Sequence, residues 1–587
     1  MSHYLDTLTI KNFKSCKHIE VKLSEFTPII GYNNAGKSNI LSAVEWLFKK
    51  KLLALDDYHD ADMEICVEGK IVGVSDEILD GLAQEHREKI SPFIQDGIVE
   101  IKRTQIVNAS KAADVKLQIK NPANGQYRAP PTGIDNAIKG LFPEPIRVGA
   151  MENSAEDASK SKASSTIGKL LSELCESVQK SNSTRISKHL NAVSRRMEAD
   201  GNKRIPELSD IDTSINEKIA DFFPGINLKL HFPTPSFEDL FKSGTVKVYE
   251  DGMAGIAREC SSYGHGTQRS IQMALIRHLA DIKKNEQSST TTLLLIDEPE
   301  LYLHPFAIEQ IREALNTLSG NGYQIIFTTH SSQMITEETA PHTILIRKNN
   351  IKGTYRRTTM AEAVARTIED GPAQASHLFS LTQSSQVLFS NNVILTEGKT
   401  ELRLLPFIFQ KIQNRTLGQA QIAMIETGSV NNISKTLKIL KAMDIPARAI
   451  VDLDYAFRGA IINGIINDDD QNIAELKKIL QKMHDNQECK VGHNGLPTKG
   501  GVCTAAEAFE IMASKPEAHA HIQALATILR EKNIWLWQKG AIEAHLGLES
   551  KDEDTWSQFK VKASRSPLEE ICPDHAGIHA LIQWVSA

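Results

Sequence analysis

The sequence predicts an α/β protein of several domains, and three observations predict it. A strand–turn–helix near the amino terminus carries a phosphate-loop pattern. A wholly apolar strand later ends in an Asp-Glu pair. In the last third, a strand–helix–strand rhythm ends its strands in carboxylates. At 587 residues the chain also exceeds what one hydrophobic core organises.

The elements follow in order. Leu8, Ile10 and Phe13 punctuate polar residues as in a strand, and 26–30 is a second strand. A Gly/Asn turn leads into an apolar-periodic helix over 38–48, and strand patterns recur at 64–72 and 98–106. Composition shifts at Met151, where MENSAEDASKSKASST reads as an exposed connection. From 167 to about 223 the pattern is helical, with Leu170, Leu171, Leu174 and Val178 on one face, so this stretch is read as a helical insertion. Strand-like residues resume at 226–232. The polar loop KKNEQSSTTT precedes the apolar run 293–296, which suits a buried parallel strand, and 325–328 is another. The stretch 371–390 reads as a connection between domains, before short buried strands at 393–395 and 449–451.

Bulk properties narrow the function. The net charge of -6 excludes a protein that coats nucleic acid by overall basicity, while leaving room for a local basic groove. No apolar run approaches the roughly 20 residues that span a bilayer, so no membrane partner is expected. The amino terminus lacks a basic leader followed by an apolar run. The 7 cysteines are scattered without a CxxC pair, which suits the reducing cytoplasm rather than a disulfide framework.

Gly31-Tyr-Asn-Asn34-Ala-Gly36-Lys37-Ser38 satisfies the phosphate-loop pattern, with a strand before it and a helix after it. Its glycines let backbone N–H groups turn toward phosphate oxygens, Lys37 brings a mobile positive charge, and Ser38 offers a hydroxyl to Mg²⁺. The helix start adds its positive dipole end, and Asn39 completes the candidate ATP contacts. Asp297, closing the 293–296 run, is placed to hold Mg²⁺, and Glu298 to polarise the attacking water. His330, at the end of IIFTTHSS, is a candidate γ-phosphate sensor. Ser262-Tyr-Gly264-His-Gly266-Thr-Gln268 precedes a strong helical pattern, where glycines before a helix make another anion-binding end.

A second site is acidic. Val393-Ile-Leu-Thr-Glu397-Gly-Lys-Thr-Glu401 is a strand that turns into a helix, putting Glu397 and Glu401 on one face. Ala449-Ile-Val-Asp452-Leu-Asp454 is a strand ending in alternating aspartates. Ligands of open parallel sheets gather at carboxyl ends of strands, and carboxylates meeting there repel unless a divalent cation neutralises them. Such oxygen donors suit Mg²⁺ or Mn²⁺. His484, Cys489, His493 and Cys503 fit no standard zinc spacing, and the pairs Arg195/Arg196 and Arg356/Arg357 read as solvated faces.

The first set of motifs, with Asn12-Phe13-Lys14-Ser15 near the start, resembles the ABC-type ATPases of the SMC/RecF/OLD grouping. The resemblance implies that Ser262, Gly264 and Gly266 act as the ABC signature, completing the ATP site of an opposite subunit in a homodimer or higher homo-oligomer. This chain departs from the usual Leu-Ser-Gly-Gly-Gln form. The segment Pro299-Glu300-Leu-Tyr-Leu-His304 resembles that group's subunit-interface loop. The acidic motifs resemble the Toprim domain, and Glu401 points to its OLD (overcoming lysogenisation defect) branch. Gly540-Ala-Ile-Glu543 resembles that branch's GxLE motif, which implies Glu543 as a further metal ligand. The resemblance also implies a catalytic lysine near the carboxyl terminus, Lys562 or its competitor Lys560.

The order of parts resembles the OLD family along nearly the whole chain. It implies an ABC-type ATPase over 1–148 and 229–370, a helical and dimerising insertion over 149–228, and a Toprim nuclease domain with a parallel sheet over 388–587. The activity implied is a metal-dependent DNA endonuclease that binds and hydrolyses ATP. One Mg²⁺ would sit with ATP and two ions, Mg²⁺ or Mn²⁺, in the Toprim site. DNA is the expected substrate. Family analogy adds antiviral defence with an accessory protein or a retron as partner. The rival reading is an ATP-gated DNA clamp that does not cut.

Overall fold

The computed structural model describes residues 3–150, 170–171, 174–221, 223, 225–242, 246–249, 257–283, 291–367, 385–428, 430–499 and 502–586. The polar segment 151–166 and the loop 284–290 lie outside the described residues, as does 371–384 of the predicted connection; Ser385–Phe389 is a short helix.

A twelve-stranded sheet orders its strands Tyr127–Arg128, Val115–Lys120, Val99–Gln105, Ile65–Val72, Tyr4–Phe13, Cys16–Lys22, Gly353–Arg356, Ile344–Asn349, Phe26–Gly31, Tyr323–Thr329, Thr292–Asp297 and Ile146–Val148. The first half is antiparallel. At the far edge, Thr292–Asp297 runs parallel to both neighbours. Every residue of Thr292–Asp297 and Tyr323–Thr329 is buried, as their unbroken apolar and threonine runs require of strands covered on both faces. The helix Lys37–Phe48 buries Ile40, Leu41, Val44, Trp46 and Leu47. Along one face, Met273 and Ile276 of His265–Lys283 pack with Ile311 and Leu315 of Pro305–Ser319 against Leu294, Ile296 and Phe327.

The helical reading of 167–223 holds where the chain is described: Glu176–Met197 and Pro206–Ala220 are helices, the second opened by a proline whose missing N–H costs nothing there. The strand expected at 226–232 does not form. Its backbone is irregular because side chains take the place of a neighbouring strand. Asn216 receives the Leu228 N–H (2.7 Å) and donates to the Leu228 carbonyl (3.0 Å). Asp212 receives the Leu230 N–H (2.9 Å), and Arg204 donates to the Leu230 carbonyl (2.7 Å). An apolar alternation alone does not report where the hydrogen bonds go.

The other compact unit comprises 30–32, 335–346 and 356–587. Its sheet has four strands in the order Ile422–Glu426, Asn392–Thr396, Ala447–Val451, Ile534–Leu536, all parallel. Alternation sorts the side chains onto two covered faces. Val393, Leu395, Ala449, Val451 and Leu536 join one core with Leu476 and Leu525. Ile394, Ile450, Trp535 and Trp537 join another with Leu404, Ile408 and Ile582. Burying each such side chain contributes about 1.5–3 kcal/mol. The crossovers leave Asn392–Thr396 in opposite directions, so a topological switch point lies between it and Ala447–Val451. Among the described residues no helix is long and apolar enough to cross a membrane.

Candidate functional site

The phosphate loop leaves the strand Phe26–Gly31 and needs left-handed backbone at Asn34 (φ 62°) and Gly36 (φ 101°). A Cβ on Gly36 would collide with the Thr354 hydroxyl and stand 2.7 Å from Ser15 Oγ, so only glycine fits. The helix starts at Lys37, whose buried ammonium is pushed below its ordinary pKa by burial while Glu298 and Asp297 pull it back. Lys37 Nζ donates to His330 Nε2 at 2.7 Å. Burial, and then Lys37, hold His330 below its usual range, so a neutral imidazole accepts that bond.

Asp297 is fully engaged. Ser38 Oγ and Thr328 Oγ1 donate to its Oδ1 (3.0 and 2.9 Å), and the Arg147 guanidinium pairs with its Oδ2. Glu298 follows at φ 47°, with Oε1 3.4 Å from His330 Nε2. Arg269 donates to the carbonyls of Asp297 (2.6 Å) and Glu298 (2.7 Å), fixing the strand end from behind. Glu300 receives Thr329 Oγ1 (2.7 Å) and the N–H groups of His330 (2.8 Å) and Ser331 (3.2 Å).

Lys37, Ser38, Asp297, Glu298 and His330 therefore meet. Asn39 turns away, donating to Ser15 Oγ at 2.6 Å. Ser262 closes a short 3-10 turn and Gly266 lies in the first turn of His265–Lys283; no hydrogen bond described ties Ser262, Gly264 or Gly266 to the phosphate loop. Arg147, Thr328, Glu300 and Arg269 were not anticipated. Arg147 comes into reach through the fold: its short strand pairs parallel with Leu294–Ile296, in register with Leu295.

The acidic centre forms at the switch point of the four-stranded sheet. Glu397 follows Asn392–Thr396, Asp452 follows Ala447–Val451, and Asp454 lies in the next turn. Glu401 is on the first turn of Lys399–Gln413, and Glu543 on that of Ile542–Leu546. The Asp452 N–H donates to Glu397 Oε2 at 3.5 Å. Burial, then Asp454, pushes Glu397 up to about 7. Burial, with a contribution from Glu543, pushes Glu401 up to about 7. Asp452 is raised well above the ordinary range by burial and then Glu401, and Asp454 is raised by burial. Burial is the first cause of all four shifts, and neighbouring acids add to those of Glu397, Glu401 and Asp452.

Several side chains hold these acids in place. Trp537 Nε1 donates to Glu401 (3.1 Å) and Thr400 Oγ1 to Glu543 (2.6 Å). His545 packs against Trp537 at a tilt of 46°, with centroids 4.7 Å apart; its Nδ1–H donates to Asp574 (2.5 Å) and its Nε2 receives the Lys539 N–H (3.1 Å). Gly540 must be glycine: its φ is 112° and a Cβ would stand 3.2 Å from the Glu510 Cα. Its carbonyl receives the Leu453 N–H at 2.7 Å, joining the 540 turn to the aspartates.

The lysine at this centre is Lys551, with Nζ 3.2 Å from Glu543 Oε2 and 3.8 Å from Asp452 Oδ2. Lys562 is exposed on the helix Glu553–Arg565, and no described contact ties it to the acids. The signal for Lys551 is Gly547, a left-handed cap (φ 71°) that ends Ile542–Leu546 and turns the chain back. Hard oxygen donors of this number and crowding fit a divalent ion. Among the described residues no three acidic, His or Cys side chains already form an ion cage; Lys551 and, at 3.6 Å from Asp454, Arg458 carry the compensating charge.

Comparison with known proteins agrees with this pairing of sites. The profile described as AAA ATPase domain matches 4–128 and 142–335, and that described as Overcoming lysogenization defect protein-like, TOPRIM domain, matches 388–454. The chain is 36% identical over 600 residues to the Old nuclease of Escherichia phage P2, covering 99% of this chain and 98% of that one. It belongs to the OLD nuclease family. More distant OLD-family relatives are endonuclease GajA of Bacillus cereus (strain HuB5-5), 20% identical over 561 residues (83% of this chain, 78% of that one), and the OLD nuclease of Thermus scotoductus (strain ATCC 700910 / SA-01), 22% identical over 481 residues (77% and 82%). As an OLD-family ATPase–Toprim fusion, the chain is a nuclease coupled to an ATPase, and uses a nucleotide and a divalent metal.

Proposed function

We propose that the chain is a Mg²⁺-dependent DNA endonuclease whose cutting centre is Glu397, Glu401, Asp452, Asp454 and Glu543 with Lys551, and whose ATPase centre is Lys37, Ser38, Asp297, Glu298 and His330. The observation that carries this reading is the convergence of buried carboxylates from separate strand ends, faced by two cations. Five acids against two cations weaken a fold, so a structural role does not account for them.

Divalent ions, when bound, lower the pKa of water and neutralise charge at a phosphodiester. The protein's own groups do the rest. Trp537 and Thr400 fix Glu401 and Glu543 as rigid metal donors, while Asp452 and Asp454 are ion-paired more loosely, Glu397 accepts the long Asp452 N–H bond, and these three adjust. Lys551 places a positive charge where the non-bridging oxygens of a phosphate gather; it takes the part that the family resemblance implied for Lys562. In the other centre, Lys37 and Gly31, Asn34 and Gly36 of the loop surround the ATP phosphates, Ser38 and Asp297 hold its Mg²⁺, and Glu298 orients water with neutral His330 beside it.

The domain limits follow: ATPase over 1–148 and 229–370, a dimerising insertion over 149–228, Toprim over 388–587. Ser262, Gly264 and Gly266 serve the nucleotide of a second copy, making a homodimer the working form. Two Mg²⁺ or Mn²⁺ ions sit in the Toprim centre. The setting is the cytoplasm, and antiviral defence with an accessory protein or retron is the role family analogy suggests.

The test uses purified chain, supercoiled plasmid and Mg²⁺, with and without EDTA, scored together with ATP hydrolysis. Glu397→Ala is expected to stop cutting and spare ATP hydrolysis. Cutting that survives Glu397→Ala overturns this cutting centre, and a wild type that binds DNA without cutting favours the clamp.

A further inference from the structure

Beside Glu397, a cavity of about 660 Å³ opens in the nuclease unit. This is the size of a site for a small organic group. Its walls differ from the acidic centre. Phe457, Ile461 and Leu496 make an apolar side, and Ile462 stands 71% exposed on the segment that forms it. Arg458 and Lys477 bring positive charge to the same lining, where Glu397 and Asp468 are the acids.

The placement follows from chain connectivity. Asp452 and Asp454 run into the short 3-10 helix Leu453–Phe457 and then the turn Gly459–Ile462, so the segment that supplies two acids also supplies the apolar wall. Lys477 comes from the helix Gln471–Asp485. Both cations are lightly held. Lys477 Nζ is 3.8 Å from Asp468, whose side chain is 80% exposed, and Arg458 is 3.6 Å from Asp454 with its own side chain 46% exposed. Exposed pairs of this kind bind weakly and exchange for a closer anion.

An exposed isoleucine beside two loosely paired cations, opening onto a phosphodiester-cutting centre, matches the two halves of a nucleotide. We propose that this cavity holds one unstacked nucleotide of the cleaved strand, next to the scissile phosphate, with its base against Ile461 and Ile462 and its phosphate between Arg458 and Lys477. The proposal rests on the nuclease reading and narrows its substrate to locally unpaired DNA. A paired base would first have to leave the stack, and that cost is smallest in bubbles, mismatches and single strands. A free mononucleotide shares the same chemistry, so the test separates the two sources.

The probes are a fluorescein-labelled, fully paired duplex and the same duplex with a short central bubble, given to the full chain with Mg²⁺ and ATP. Wild type is expected to cut the bubble with a kcat/KM about ten-fold higher. Ile462→Asp and Lys477→Glu, both surface changes, should raise the KM for the bubble to that for the paired duplex, with kcat held within about two-fold, as loss of uniform binding requires. Equal cutting of both duplexes by wild type, or a bubble preference that survives Ile462→Asp, overturns the proposal. Millimolar dAMP that erases the preference as well as a single-stranded oligonucleotide does would assign the cavity to free nucleotide instead. Anisotropy of the same duplexes reads the cavity apart from cutting. A bubble preference in binding that Ile462→Asp removes sustains the cavity even if no DNA is cut, and equal wild-type affinities overturn it even if DNA is cut.

Discussion

Asp297 and Asp452 both follow or end a buried parallel strand, yet their surroundings are opposite. Asp297 is met by Arg147, Ser38 and Thr328, so its charge is answered within the unit that carries it. Asp452 faces Glu397, Glu401 and Glu543, with Lys551 no nearer than 3.8 Å. One strand end is a prepaired anchor, beside which Lys37 and His330 answer each other. The other stores negative charge that protons or metal ions must settle. The same topological device, a carboxylate at a strand's carboxyl end, is thus closely paired in one place and crowded among other acids in the other.

The largest expected effect separates the two. Asp452→Asn should lower DNA cutting about a thousandfold or more and leave ATP hydrolysis within about two-fold, whereas Lys37→Ala should remove ATP hydrolysis and leave the acidic centre's affinity for Mn²⁺ unchanged by calorimetry. A shared loss in both assays would break the comparison.

Next in size is the lysine. Lys551→Ala should cost about a hundredfold in cutting, and Lys562→Ala about two-fold at most. The reverse ranking would return the catalytic lysine to the helix Glu553–Arg565.

The third expected effect concerns the buttress. Trp537→Phe removes the donor to Glu401, and His545→Ala the ring packed on Trp537. Each should weaken apparent metal affinity about ten-fold, with kcat at saturating metal nearly kept. A loss of kcat without change in metal dependence would contradict the positioning role.

The smallest effect is thermodynamic. Glu397 and Glu401 titrate near 7 in the folded chain, above the ordinary carboxylate value near 4.5. Between those limits the folded state binds more protons than the unfolded, so stability falls as pH rises from about 4.5 to about 7 and levels off above. In EDTA, Tm of the nuclease unit should therefore be a few degrees higher at pH 5.5 than at pH 8, and saturating Mn²⁺ should remove that difference. A Tm in EDTA that rises with pH over this window would show the acids are not crowded as described.

Much of this was legible in the chain. Glu397, Asp452, Asp454 and Asp297 stood out because they close or follow short apolar runs, where a parallel strand must stop, Glu401 because it lies four residues past Glu397 at a helix start, and Lys37 because it belongs to a phosphate-loop pattern. Partners reached across the fold were not legible. Arg147 sits in a three-residue strand too short to show a period, and the Trp537–Glu401 and Thr400–Glu543 bonds join residues far apart in sequence. Lys551 looked like one lysine in a charged run until the Gly547 turn brought it back over Glu543. The irregular 226–232 segment misled for the converse reason, since its alternation is real and its hydrogen bonds go to Asp212, Asn216 and Arg204.

Anomalous diffraction from crystals equilibrated with Mn²⁺ tests the central claim most directly. The account predicts a peak within ligand distance of Asp452 and Glu397, with the Lys551 ammonium drawn away from Asp452. A saturated crystal with Mn²⁺ at the ATP site, none among these acids, and Lys551 still paired with Asp452 and Glu543 would contradict it.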